Sequence, residues 1–242
     1  MGHDITHGNE VITMEYCERS GPGLFAEPLN ASTNAAFFVA AFCAWLTARR
    51  CNGLSTGLWV LTGLVITVGA GSTLWHTFAT PWAEWFDRIP ILLFQLLFLW
   101  LYFRQVMHLR CYLTAAFLTG FVLIGSIMTL LPPILNGSLI YAPAFALLLV
   151  LGVYHYRKRR REPYIILTAA GVFLFAIIFR TIDLIVCSSF PAGTHFLWHI
   201  LNGLTVYLTV RSLIVNDQGQ NLCFFYLLLF LLSGCILIPE FV

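Results

Sequence analysis

The sequence predicts an all-α integral membrane protein built as a seven-transmembrane helix bundle, and three observations predict it. The chain of 242 residues is 59% hydrophobic and 10% charged, with a mean hydropathy of +0.83, whereas a soluble domain is about 45–50% apolar and about 25% charged. Seven apolar stretches are long enough to cross about 30 Å of hydrocarbon. Basic residues alternate sharply between the segments that connect them. The net charge of +2 is too small for a nucleic-acid partner, and no Asn-Gly hairpin alternation suggests a β-barrel.

The spans fall near 31–48, 54–77, 85–103, 112–131, 139–156, 164–187 and 195–215. A further run, Leu222–Ile238, carries no charge and is interrupted by Ser233-Gly234; it is a candidate eighth span or an interfacial hairpin. The chain divides into an acidic outer segment (1–29), the bundle (30–215) and an apolar C-terminal segment (216–242). Residues 1–29 are polar and acidic and show no cleavable signal peptide. Met1-Gly2-His3-Asp4-Ile5-Thr6 matches the myristoylation pattern, but the orientation derived next keeps this end from cytosolic acyl transferases, so the match reads as coincidence. His3 and His7, in the same polar terminus, read as solvated.

Arg49, Arg50, Arg104, Arg110, Arg157, Lys158, Arg159, Arg160, Arg161 and Arg211 all reach one side of the membrane. Only Arg19 and Arg88 reach the other, and Arg180 lies inside the sixth span. The positive-inside rule places the N-terminus outside, on the lumenal or periplasmic side. The run Arg157–Arg161 is then a topology anchor rather than a nucleic-acid or anionic-lipid site.

This orientation brings distant residues to one depth. The second span runs outward and ends with Ser72 and His76; the third starts there with Asp87; the seventh starts there with His195 and His199, which share a helix face four residues apart. His108 and His155 fall on the opposite side. Histidine inside a span is costly unless it lines a cavity or pathway, and three imidazoles with one position left open for water suit a catalytic zinc ion. Haem b, the chemical rival, needs paired ligands on facing helices and leaves the third histidine unexplained.

Each accompanying residue also has a plain structural role. Ser72 is one turn from His76 and is either a small packing residue or a hydrogen-bond donor to the reacting group. Asp87 is a helix N-cap, a partner for Arg88, or a carboxylate fixed for proton transfer. Arg180 and Asp183 are either a charge pair in lipid, or Asp183 orients a metal-bound imidazole. Asn30 and Asn34, one turn apart, brace or cap the start of the first span. Glu15, Glu18 and Glu27 with Ser20 are either solvated or oxygen ligands for a hard cation such as calcium. The seven cysteines, Cys17, Cys43, Cys51, Cys111, Cys187, Cys223 and Cys235, form no CxxC metal motif. Topology puts Cys17 and Cys187 together on the oxidising side, as the candidate disulfide pair; the rest read as small apolar residues.

Glu15-Tyr16-Cys17-Glu18, Asn30 to Asn34, Ser72-Thr73-Leu74-Trp75-His76, Asp87-Arg88-Ile89-Pro90, Ile182-Asp183 with Cys187, and His195-Phe196-Leu197-Trp198-His199 together resemble the alkaline ceramidases. Adiponectin-type receptors and haemolysin III relatives share the serine, aspartate and three-histidine set. The resemblance implies a seven-helix bundle, zinc on His76, His195 and His199, and catalytic assistance from Ser72 and Asp87. It also implies calcium on Glu15, Tyr16 (through its carbonyl), Glu18, Ser20 and Glu27. Here the chain departs from the family pattern, which has aspartate, tryptophan and asparagine where Glu15, Tyr16 and Ser20 stand, and about two more residues between Glu18 and Glu27.

The expected function is zinc-dependent hydrolysis of ceramide, or a close N-acyl lipid, to a sphingoid base and a fatty acid. A lipid ester hydrolase on the same scaffold and a seven-helix receptor with structural zinc are the alternatives. The Glu15–Glu18 motif, the Cys17/Cys187 pair and the outward N-terminus favour the ceramidase, since the adiponectin-type receptors face the opposite way.

Overall fold

The computed structural model describes residues 3–7, 10–14, 16–19, 21, 23–51 and 55–217, with 3–7 and 10–14 described by backbone alone. The candidate eighth span Leu222–Ile238, Met1 and Gly2 of the myristoylation pattern, and two expected calcium ligands, Glu15 and Ser20, lie outside these residues.

One element departs from the all-helical expectation. Strands β1 (His3–His7) and β2 (Glu10–Met14) form an antiparallel hairpin with His3 opposite Met14 and His7 opposite Glu10. Ile5, Thr6, Val11, Ile12 and Thr13 are β-branched, a composition that favours extended backbone.

The remaining order is α1 (Pro28–Thr33), α2 (Ala35–Arg50), α3 (Thr56–Phe78), α4 (Pro81–Leu101), α5 (Cys111–Thr129), α6 (Ala142–Arg157), α7 (Ile165–Val186) and α8 (His195–Asn216). Six segments among the described residues are long and apolar enough to cross a membrane: Pro28–Arg50, Thr56–Phe78, Pro81–Val106, Cys111–Thr129, Ser138–Arg157 and Ile165–Val186. Each coincides with an expected span to within a few residues. The expected seventh, α8, is a helix of 22 residues that falls outside this apolar set, because His195, His199, Asn202, Thr205, Thr209 and Ser212 make one of its faces polar. It is central all the same, packing on α2, α3 and α7. At the other extreme, α5 buries only 11% of its most apolar window, and Leu113, Phe117, Leu123, Ile124 and Ile127 face outward. Apolar surface of that extent marks contact with lipid.

Helix α4 begins earlier than its hydropathy suggests. Pro81 occupies its first turn after Thr80, where a proline costs no hydrogen bond. The exposed Trp82 and Trp85 are the aromatic residues expected at a membrane–water boundary. Asp87 therefore lies well inside the helix and is not its cap, and Arg88 pairs with Glu84 one turn back.

Gly71 brings α3 and α4 together. A Cβ at Gly71 would lie 1.9 Å from the Phe86 carbonyl oxygen. That carbonyl is also the one left without its intrahelical donor by Pro90, which has no N–H. The missing side chain on α3 and the missing donor on α4 thus coincide at the level of Ser72 and Asp87.

At the far end of the bundle the basic residues tie the helices together. His155 is buried, with Nδ1 2.8 Å from the Tyr102 hydroxyl and Nε2 3.0 Å from the Arg161 carbonyl. Arg160 donates to the Val106 carbonyl, and the Arg161 amide donates to Asn216. His155 is a satisfied structural histidine, as its position on the basic side implied.

Gly71→Ala should force α3 and α4 apart. Overpacking of this kind typically costs about 1–3 kcal/mol, so the thermal midpoint of the solubilised protein should drop by roughly 2–12 °C. An unchanged midpoint would show that the two helices are free to separate there.

Candidate metal centre

Three imidazoles from two helix ends converge on one point. His76 comes from the last turn of α3, and His195 and His199 from the first two turns of α8; all three are buried. Their ring centroids lie 5.2 Å (His76–His195), 4.6 Å (His76–His199) and 4.7 Å (His195–His199) apart. One nitrogen from each falls within 4.8 Å of the others, close enough for one ion to gather them.

The ring nitrogens also show how such an ion would fit. His76 Nδ1 lies 2.6 Å from Glu27 Oε2, and His199 Nδ1 lies 3.1 Å from the Thr33 hydroxyl. A partner on one ring nitrogen sets the tautomer and aims the other. His195 Nδ1 is buried with no hydrogen-bond partner, although buried polar atoms are seldom left unmatched. Three converging imidazoles, one with an unmatched buried nitrogen, suit a metal with nitrogen preference and an open position. The cluster can hold a metal ion.

Ser72 and Asp87 open into the same space. Both line a partly open cavity with the three histidines, Arg180 and Tyr141. The Asp87 carboxylate interacts with the Ser72 hydroxyl, while its Oδ1 is buried without a hydrogen-bond partner. The rest of the wall is largely apolar, including Phe37, Val68, Phe94, Phe98, Phe121, Leu148 and Phe173. The cavity volume is about 120 Å³.

The acidic N-terminal residues take places that the sequence did not reveal. The Tyr16 ring stacks on His195 at 3.9 Å, and its carbonyl accepts the Arg19 amide at 3.2 Å. The Glu18 carboxylate accepts the Leu29 and Asn30 amides at 2.6 and 2.8 Å, closing the start of α1. Glu27 is buried between Arg19, Asn30 and His76. Burial pushes its carboxyl pKa up, but the His76 imidazole and the Arg19 guanidinium outweigh that and hold it below its ordinary value. Asn34 donates to the Asn30 carbonyl at 3.1 Å, so this pair braces the segment.

Asp183 does neither of the things expected of it. Its Oδ1 accepts the backbone amides of Thr194 and His195 at 2.6 and 2.9 Å, and its Oδ2 accepts the Cys17 amide at 3.1 Å. It therefore anchors the start of α8 and the N-terminal segment, not an imidazole ring. Arg180 instead donates to the Asn136 carbonyl at 2.5 Å and lies over the Tyr141 ring at 5.4 Å. The Cys17–Cys187 disulfide is formed, with the Cα atoms 5.3 Å apart. Cys43, Cys51 and Cys111 are free thiols.

A family model described as Ceramidase matches residues 9–224, most of the chain. The chain belongs to the ceramidase family. No curated protein matches it. As a ceramidase-family member it is a hydrolase acting on amide bonds, with a lipid substrate and a membrane setting.

Sequence reasoning missed Arg19, Thr33 and the Tyr16 ring. Arg19 was noted only as one of the few basic residues on its side. Nothing local to Thr33 sets it apart from the chain's other threonines. The aromatic character of Tyr16 next to the disulfide cysteine was the one available signal.

Metal analysis should find one metal ion per chain, held by the nitrogens of His76, His195 and His199. His199→Ala should lower occupancy sharply; occupancy equal to wild type would remove that ring from the ligand set. Mass spectrometry of non-reduced digests should recover the Cys17–Cys187 linked peptide, and two free thiols in fresh protein would contradict the bridge.

Proposed function

We propose that the protein is a membrane-embedded zinc amidase that cleaves ceramide, or a close N-acyl lipid, to a sphingoid base and a fatty acid. The observation that carries the reading is the shared cavity: the three histidines, Ser72 and Asp87 form its polar end, and apolar side chains form most of the remaining wall. A purely structural metal would not need a serine and a carboxylate facing a partly open, largely apolar cavity.

Bound to the three imidazoles, zinc would supply the Lewis acidity that lets water attack an amide near neutral pH. Asp87 takes the proton of the attacking water as the new C–O bond forms, and returns it to the amine nitrogen as the C–N bond breaks. Its position within α4, braced by Ser72, holds the carboxylate toward the cavity. The Ser72 hydroxyl donates to the amide oxygen as the carbon becomes tetrahedral. The apolar wall holds the hydrocarbon chains. Phe121 of the sparsely packed α5 and Leu147 of α6 both line the cavity, and this side is the proposed route of entry from the bilayer.

In this reading α8 is the seventh span and the metal centre lies on the lumenal or periplasmic face. Two independent features support that orientation: a disulfide, which persists in oxidising surroundings, and, at the opposite end of the bundle, the run Arg157–Arg161, since basic residues favour the cytoplasmic side.

Incubating the purified protein with a panel of N-acyl lipids and lipid esters tests the substrate class, with chelation and zinc restoration as the control. Release of free amine and fatty acid from ceramide supports the proposal. Cleavage of esters alone would make it an ester hydrolase, and zinc-loaded protein inert toward every substrate would favour a receptor. Asp87→Asn should keep zinc and lose about 10²–10⁴ in turnover; activity within about threefold of wild type would exclude Asp87 as the base. Ser72→Ala should cost about 10²–10³, the usual loss for one oxyanion donor, and a near-normal rate would reduce Ser72 to packing.

A further inference from the structure

The Arg19 side chain is fully buried at the outer end of the bundle. Its Nε donates to Glu27 Oε1, its Nη2 to the carbonyl of His76 at 2.9 Å, and its Nη1 to the carbonyl of Gly21 at 3.4 Å. A charge taken out of water is tolerated only when paired and hydrogen-bonded, and this guanidinium is both. It reaches His76 twice, directly at the backbone and through Glu27 at the ring.

Of the five residues that the family resemblance assigns to calcium, the three that are described, Tyr16, Glu18 and Glu27, already have protein donors on their oxygens. The Tyr16 carbonyl accepts the Arg19 amide, the Glu18 carboxylate accepts two backbone amides, and the Glu27 carboxylate accepts Arg19, Asn30 and His76. Calcium prefers 6–8 oxygen ligands, so it would have to displace these donors and share Glu27 with a guanidinium. Tyr16, Glu18 and Glu27, bonded in this way, do not fit calcium.

We propose that Arg19 is a resident cation which fills the role the resemblance gives to calcium, positioning Glu27 and thereby His76, so that the metal centre assembles without a second metal. This rests on the reading of the three histidines as a metal site, but its calcium arm does not. Arginine suits the role because its planar fork offers several donors in fixed directions, where lysine offers a point charge.

The test uses the full-length solubilised protein and the variants Arg19→Gln, Arg19→Lys and Arg19→Ala. Zinc affinity is read by competition with a chromogenic chelator, and stability by thermal midpoint, each with calcium near about 1 mM and with a calcium-selective chelator after zinc reloading. Wild type should show the same affinity and midpoint in both. Arg19→Gln should bind zinc about 10–100-fold more weakly, the usual effect of losing support behind a ligand. Arg19→Lys should recover part of this, and added guanidinium ion should recover part in Arg19→Ala. A calcium-dependent rise in wild-type midpoint or zinc affinity would overturn the proposal, as would wild-type affinity in Arg19→Gln. Should every variant fail to fold, the wild-type calcium comparison decides alone. Should wild type bind no zinc, the metal reading fails, while the effect of calcium on the midpoint still decides between a resident cation and a calcium site.

Discussion

A carboxylate withdrawn from water must find donors for its lone pairs, and Glu27, 2% exposed, finds them in three separate parts of the chain. Oε1 receives Arg19 from the N-terminal turn; Oε2 receives Asn30 from α1 and the imidazole of His76 from α3. One side chain thus ties the outer segment, the first helix and a candidate metal ligand into a unit. Removing a partner from such a buried arrangement typically costs about 3–5 kcal/mol, because the remaining charge is left uncompensated. The orientation of His76, the seating of α1 and the burial of Arg19 are consequences of this one bonded group.

The helices that carry the site meet where side chains are smallest. In lipid the hydrophobic effect gives helices little reason to associate, and close packing with interhelical hydrogen bonds takes its place. A Cβ at Gly203 would lie 2.7 Å from that of Ala36, and one at Gly69 would lie 2.9 Å from that of Phe37. These approaches hold α8 and α3 against α2. The hydroxyl of Thr33, just before α2, can then reach His199, and the Phe86–Asp87 turn can lie beside Gly71. The polar centre depends on apolar surfaces that leave no room for a methyl group.

Much of this was legible in the sequence, for reasons that mark where legibility ends. His195 and His199 declare themselves through four-residue spacing, and His76, Ser72 and Asp87 join them once the spans are given alternating directions. The disulfide follows from the same topology. Asp87 looked like a cap because the expected span opened at 85, although α4 begins four residues earlier, at Pro81. The hairpin at 3–14 escaped because a polar terminus gave no cue beyond its β-branched residues. Asp183 was assigned to its helical neighbour Arg180 or to a ring, but it bonds backbone amides 11 and 12 residues onward. Arg19 reaches a carbonyl 57 residues away, and Thr33 a ring 166 residues away. No local pattern encodes such partners.

Two buried carboxylates divide the work of building the centre. Glu27 fixes the ring of His76, while Asp183 fixes the backbone from which His195 and His199 project. Asp183 accepts the first amides of α8, the end where a helix presents unpaired donors and favours negative charge. Gly193 supplies the turn that allows this: its φ is +64°, and a Cβ there would lie 2.2 Å from Asp183 Oδ1. The second oxygen of Asp183 holds Cys17, whose disulfide to Cys187 repeats the connection covalently. The Tyr16 ring beside it covers His195, and Arg19 two residues on reaches Glu27. The segment 16–19 is therefore pinned at one side by an anion serving α8 and at the other by an anion serving α3. Opening that segment would uncover His195 and loosen both helices together, so cover and ligand geometry are coupled by the same few bonds. Such coupling suits a site that must exclude bulk water while keeping its polar groups aimed into a largely apolar cavity.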